Sequence, residues 1–148
     1  MNPNVLMNGM LTSLRIIAGV AASHRLASLP ASFFRAVDDR DVDAIVAHFA
    51  PHATFTVQTD HVTVTGVDEI RLMFSAFIQS ARTMRHEITN IVVDEVNRRV
   101  STEQTYVGEL MDGTQNDMRN CNVFDVDGDG QFTRVVVWMA GASPLKLP

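Results

Sequence analysis

Two side chains far apart in the chain, Asp38 and His86, are of the types that proton transfer at a carbon centre requires. An imidazole titrates near neutrality, so it can take up and return a proton at physiological pH. A carboxylate against its other ring nitrogen fixes the tautomer and stabilises the imidazolium. Asp38 falls near the C-terminal end of a predicted helix, beside Asp39 and Asp41, and His86 on one face of a predicted long strand. Taken singly, each has an ordinary reading: a solvated helix-end carboxylate and a hydrogen-bonded core histidine.

The strand patterning supplies the next candidates. From Met84 onward the apolar period changes from 3.6 to 2, which predicts strands at about 84–94, 98–111, 117–126 and 131–140. Alternation puts Met84, His86 and Ile88 on one face of the first. Val100, Thr102, Gln104, Tyr106 and Leu110 share a face of the second, and Met118, Asn120, Asn122 and Phe124 a face of the third. These more apolar faces should point at the helices, yet they carry His86, Gln104, Tyr106, Asn120 and Asn122. Buried polar groups need partners. Five of them converging in an apolar concavity are what a small-molecule pocket requires.

Other chemistries lack their residues. There is no Gly-x-Ser-x-Gly elbow and no glycine-rich phosphate loop. His48 and His52 are four apart, but Pro51 lies between them, so no helical metal pair forms. The single cysteine, Cys121, excludes an intrachain disulfide and a cysteine-based zinc site. Asp125 to Gly130 matches the first half of a calcium loop, but the twelfth position is Val136 instead of Glu. A hairpin turn accounts for it better, as for Asp112-Gly113. No cofactor and no metal are expected.

The elements that must position these residues precede the strands. Ser28-Leu29-Pro30 reads as a helix start, with Phe33, Phe34 and Val37 on one face. Asp41 can cap a second helix carrying Val42, Ile45, Val46 and Phe49, ended by Pro51. Strands are predicted at Ala53–Val57 and around His61–Val64. Thr65-Gly66-Val67-Asp68 resembles a capping box that opens a helix with Ile70, Phe74, Phe77, Ile78 and Ala81 on its apolar side. Helices first and long antiparallel strands afterwards predict an α+β class, with a curved antiparallel sheet wrapped around the N-terminal helices as a cone-shaped α+β barrel.

The chain's 148 residues suit one domain with a sizeable core. We expect residues 1–28 to be an extension or extra helix and 29–148 a single domain. A net charge of −5 and single Tyr and Trp residues argue against a nucleic-acid partner. No stretch approaches the ~20 apolar residues of a membrane span, so no membrane partner and a cytoplasmic location are expected. Residues 1–37 hold no Asp or Glu but include Arg15, Arg25 and Arg35. That pattern fits a targeting segment or an amphipathic helix packed on the domain. The lack of a clear cleavage site favours the helix.

The run from Phe33 to Phe55, with Asp38-Asp39-Arg40-Asp41 at its centre, resembles the opening helix and first strand of the SnoaL-like, nuclear transport factor 2-like superfamily. Gly66 to Phe77 resembles its next helix, and Phe124 to Gly130 with Ser143-Pro144-Leu145 its last hairpin and tail. The resemblance covers residues 31–145 and implies the cone fold, which hosts many chemistries. The ketosteroid isomerase pattern would place its residues at Phe33, Val57 and Asn122. The limonene epoxide hydrolase pattern would use Gln104, Tyr106 and Val137. Neither set has the required types, and the last strand lacks the acid of SnoaL-type aldol cyclases.

The scytalone dehydratase type is nearer, because its aspartate and first histidine match Asp38 and His86. Its second histidine matches Gln104, a departure. This resemblance implies a cofactor-independent lyase or isomerase, dehydratase- or cyclase-like, for a hydrophobic polyketide, terpenoid or aromatic substrate. His86 would be the general base, Asp38 its orienting partner and Tyr106 a donor to a developing enolate or leaving hydroxyl. Gln104, Asn122, Asn120, Phe33, Val57 and Trp138 would bind substrate. The alternative is a non-catalytic ligand-binding or dimerisation module of the same fold. The last strand, apolar on both faces, could bury one side in a homodimer.

Overall fold

The computed structural model describes residues 3–145. Residues 1–2 and 146–148, parts of the expected extension and domain, lie outside the described residues. Three helices, α1 (Pro3–Asp38), α2 (Val42–Ala47) and α3 (Val67–Ser80), pack on a six-stranded sheet. The strands are β1 (Phe49–Val57), β2 (Val62–Thr65), β3 (Ala81–Asp94), β4 (Arg99–Leu110), β5 (Met118–Val126) and β6 (Phe132–Met139), in the order β2-β1-β6-β5-β4-β3. All neighbours are antiparallel except β1 and β6. This is the expected α+β class, with the curved sheet closed over the helices as a cone.

The predicted helix start at Ser28 is absent. α1 runs unbroken through it, with Pro30 inside and the Ser28 hydroxyl donating back to the Arg25 carbonyl. The N-terminal helix packs on the domain over part of its length. Its contact stripe begins at Gly19 and continues through Ala22, Ser23 and Leu26, whereas residues 9–18 are exposed. Among the described residues no helix is long and apolar enough to cross a membrane.

α1 ends in a Schellman motif. The Asp41 N–H bonds to the Ala36 carbonyl and the Arg40 N–H to the Val37 carbonyl. Arg40 takes the left-handed position, with φ 62°. That conformation costs a non-glycine residue about 1–2 kcal/mol. The Arg40 guanidinium offsets it by donating to the carbonyls of Ile78, Ala81 and Arg82. It thereby ties the end of α1 to the junction of α3 and β3.

Asp41 caps α2 as predicted, accepting from the Ala44 N–H. α2 stops at Ala47, and Pro51 lies within β1, at an irregularity in the β1–β6 register. The residue that reaches back at the start of α3 is Glu69, which accepts from the Thr65 N–H, rather than Asp68. The Asp127 carboxylate accepts from the N–H groups of Asp129 and Gln131, which shapes this run into the β5–β6 turn. The core gathers on Phe33, whose ring meets Phe49, Phe74, Phe124 and Phe132 edge-on at 5.7–6.0 Å. Such pairs add roughly 0.5–1.5 kcal/mol each beyond burial.

Candidate active site

Register lines the polar residues up across the concave face. His86 pairs with Tyr106, which pairs with Met118. The next row runs Ile88, Gln104, Asn120, Met139. Thr102 faces Asn122, which faces Val137. The alternation read from the sequence holds here, because a pleated strand sends every second side chain to one face.

β3 is the sheet's edge, so part of its backbone has no neighbouring strand to bond. Asp38, the last residue of α1, fills that gap. Its Oδ2 accepts the His86 backbone N–H at 2.9 Å and its Oδ1 accepts ring Nδ1–H at 2.6 Å. The two contacts fix both the ring and its tautomer, which leaves Nε2 as the nitrogen with a lone pair. No hydrogen bond occupies Nε2 among the described residues. Phe34 stacks on the imidazole at 4.8 Å, and Tyr106 flanks it at 5.0 Å.

His86 belongs to two hollows at once. Inward, it lines a cavity of about 40 Å³ with Phe34, Phe77, Gln104, Tyr106, Asn120 and Asn122. Outward, with Asp38, Arg35 and Arg85, it lines a surface groove between α1 and β3. The pair therefore forms a wall between cavity and solvent. Its side chains are 10% exposed for His86 and 24% for Asp38.

The remaining polar groups are directed by one another. The Thr102 hydroxyl donates to Gln104 Oε1, and Gln104 Nε2 donates to Asn122 Oδ1, both at 2.8 Å. Among the described residues two side-chain atoms are buried without a partner: the Tyr106 hydroxyl and Asn120 Oδ1. One is a donor and the other an acceptor. Burial, with Asp38 as the next contributor, pushes the Tyr106 hydroxyl up to about 12, so it stays protonated and able to donate.

Each residue expected to form the site has a definite place. Asp38, His86, Tyr106, Gln104, Asn120, Asn122 and Phe33 converge. Val57 does not reach the cavity; it is fully buried in the core, and Phe55, two residues earlier on β1, lines the cavity instead. Trp138 is 43% exposed and sits in a groove with Arg119 and Cys121, because alternation along β6 sends Val137 and Met139 inward. It is no part of the cavity.

Two functional positions escaped the sequence reading. Gly108 lies two residues beyond Tyr106 on the same face, and a Cβ there would overlap the Tyr106 hydroxyl. A glycine inside a strand signals such a close approach, so this one was legible. Arg40 carried no signal, because its role depends on carbonyls about forty residues away.

The model of the SnoaL-like domain matches residues 31–135. The chain belongs to the SnoaL-like domain family. No curated protein sequence matches it. Solved structures share the fold at low identity. PrhC from Penicillium brasilianum is 14% identical, with a TM-score of 0.73 over 80% of this chain and 82% of that one. An LEH-like epoxide hydrolase of M. tuberculosis is 18% identical, with 0.69 over 79% and 84%. A putative polyketide cyclase of Xanthomonas campestris is 23% identical, with 0.66 over 79% and 91%. Structural neighbours of this SnoaL-like protein are mostly small-molecule enzymes, while the family alone assigns no reaction.

Proposed function

We propose that this SnoaL-like protein is a cofactor-independent lyase or isomerase of the scytalone dehydratase type, acting on an uncharged hydrophobic polyketide, terpenoid or aromatic substrate. The observation that carries the reading is the pair of hydrogen bonds that His86 donates to the Asp38 carboxylate, with Nε2 left unpaired in a residue that lines the cavity. Nε2 takes a proton from the carbon next to a carbonyl, and the bonding pair moves onto the carbonyl oxygen. Asp38 stabilises the imidazolium that forms. Tyr106, protonated throughout the physiological range, donates to the developing oxyanion. For a β-hydroxy ketone the carbonyl then reforms, the pair makes the carbon–carbon double bond as the C–O bond breaks, and His86 gives its proton to the departing hydroxyl, which leaves as water. For a double-bond shift the proton returns to carbon. Among the described residues no Lys or Arg lines the cavity, which supports a neutral substrate.

A cavity of about 40 Å³ holds water but no polyketide skeleton. Binding therefore needs a wall to move. Pro144 and Leu145 close one side and belong to no helix or strand, which makes that segment the wall with the least to break.

The test is a panel of cyclic β-hydroxy ketones and hydroxylated aromatics, followed by absorbance. The wild-type chain should convert at least one member, and His86→Ala should lower kcat/KM by roughly 10²-fold or more with unchanged circular dichroism. Full activity in His86→Ala would remove the base. Binding without turnover, equal in both proteins, would favour the ligand-binding module.

A further inference from the structure

Gly108 sits inside β4, where a glycine weakens the strand and needs a reason. Its own backbone supplies none. Its φ is not positive, unlike those of Gly66, Gly113, Gly130 and Gly141, so any residue could adopt its conformation. The reason is space. A Cβ at this position would overlap the Tyr106 hydroxyl and lie 2.5 Å from Cζ and 2.8 Å from Cε1. The Tyr106 ring therefore lies along β4 over bare backbone, with Phe77 at 6.1 Å and His86 at 5.0 Å on its flanks. The backbone beneath it is held in place. The Gly108 N–H donates to Asp117 Oδ1, its carbonyl accepts the Asn116 N–H at 2.8 Å, and the residue pairs with Met84 across the sheet.

We propose that Gly108 decides the shape of the ligand site: by bearing no side chain it parks the Tyr106 ring along β4 and so keeps the cavity beside His86 open. A side chain in a strand leans along it in one direction or the other according to χ1. With position 108 bare, the ring leans over it and away from Gln104, Asn120 and Asn122. With a side chain at 108 the ring must take another staggered position. The free space it meets there is the cavity of about 40 Å³, which Tyr106 lines together with those three residues and His86. A phenol ring is larger than that volume. The turned ring would fill the cavity and carry its hydroxyl away from its present place. The room for a ligand thus runs from His86 toward Gln104 and Asn122, and not toward the β4–β5 loop. The consequence for catalysis rests on the lyase or isomerase reading above, in which the Tyr106 hydroxyl donates to the oxyanion. The consequence for room does not.

Nuclear magnetic resonance on the full chain tests this through xenon uptake and the ring signals of Tyr106, the sole tyrosine. Xenon enters apolar cavities, and Val137 and Leu145 line this one with methyl groups. In the wild type, xenon should shift those methyl signals, and the Tyr106 ring should show Overhauser contacts to the Gly108 Cα protons. Gly108→Ala should lose the xenon shifts and move the ring's contacts to Gln104 and Asn122. Gly108→Ala/Tyr106→Val should take up xenon as Tyr106→Val does, because position 108 acts only through the ring. That pair decides the matter even where Gly108→Ala alone does not fold. A ring that stays over position 108 in Gly108→Ala, no xenon uptake by the wild type, or a double variant that differs from Tyr106→Val overturns the proposal. Activity separates it from the reading on which it builds. Where a panel member is converted, Gly108→Ala should lower kcat/KM roughly 10²-fold or more, the cost of a lost oxyanion donor, and an undiminished kcat/KM overturns the proposal. Where none is converted while the xenon and ring results hold, the lyase or isomerase reading falls and the role of Gly108 stands.

Discussion

His48 and His86 sit at two ends of one cavity-bearing core, and they differ in what is left for a ligand. His48 is the C-cap of α2. Its Nδ1–H donates to the Ala44 carbonyl at 2.7 Å, its Nε2 is 3.0 Å from the Ser32 hydroxyl, and its ring stacks on Phe132. Both nitrogens are occupied, and the surroundings are a close-packed cluster of Phe33, Phe49, Phe124 and Phe132. His86 has one nitrogen occupied and the other unpaired, beside a hydroxyl and a carbonyl oxygen that are buried without partners. The first histidine is consumed by structure. Near the second the fold leaves hydrogen-bonding capacity unmet, a cost of about 1–3 kcal/mol per buried group that is expected where a ligand supplies the missing partners.

The comparison can be broken most forcefully at the packed end. Phe132→Ala should lower folding stability by about 3–5 kcal/mol in urea denaturation, because a fully buried ring leaves a void among neighbours that cannot collapse. A loss under about 1 kcal/mol would show that this end is not close-packed. The histidines give the sharper contrast. His48→Ala should cost about 1–2 kcal/mol through two lost hydrogen bonds. His86→Ala should change stability by about 1 kcal/mol or less, since Asp38 keeps its bond to the backbone N–H and is reached by water. Equal losses would mean that His86 is as structural as His48.

The subtlest effect is optical. Tyr106 is the sole tyrosine, so its ionisation can be followed alone in the ultraviolet. It should titrate near 12 rather than 10. The folded state then holds the phenolic proton more tightly than the unfolded chain, so stability should fall as pH rises from about 10 to about 12. Titration at the ordinary value would mean that the hydroxyl is solvated, and the apparent orphan is then no such thing.

Much of the site was legible because strand alternation is local. His86, Gln104, Tyr106, Asn120 and Asn122 share a face by the geometry of the pleat, and no tertiary information is needed to say so. Trp138 and Val57 lie outside the cavity for the complementary reason. Alternation tells which residues share a face, but only the closed sheet tells which face holds the cavity and how far along a strand it extends. The helix start misplaced at Ser28 shows the limit of local signals in helices. Ser and Pro favour a first turn, yet Ser28 can bond back to Arg25 and Pro30 can be borne inside a helix whose following turns are packed by Phe33, Phe34 and Val37.

By itself, then, the order of helical and alternating periods determined the α+β class, and residue types determined which polar side chains share a sheet face. Only the tertiary structure decided that Asp38 and His86 meet. They are 48 residues apart, and their contact requires a left-handed Arg40 latched to α3 and β3, a helix that ends beside an edge strand, and a backbone N–H left unpaired by that edge. None of these is a property of a short stretch of sequence; each arises from groups brought together by folding.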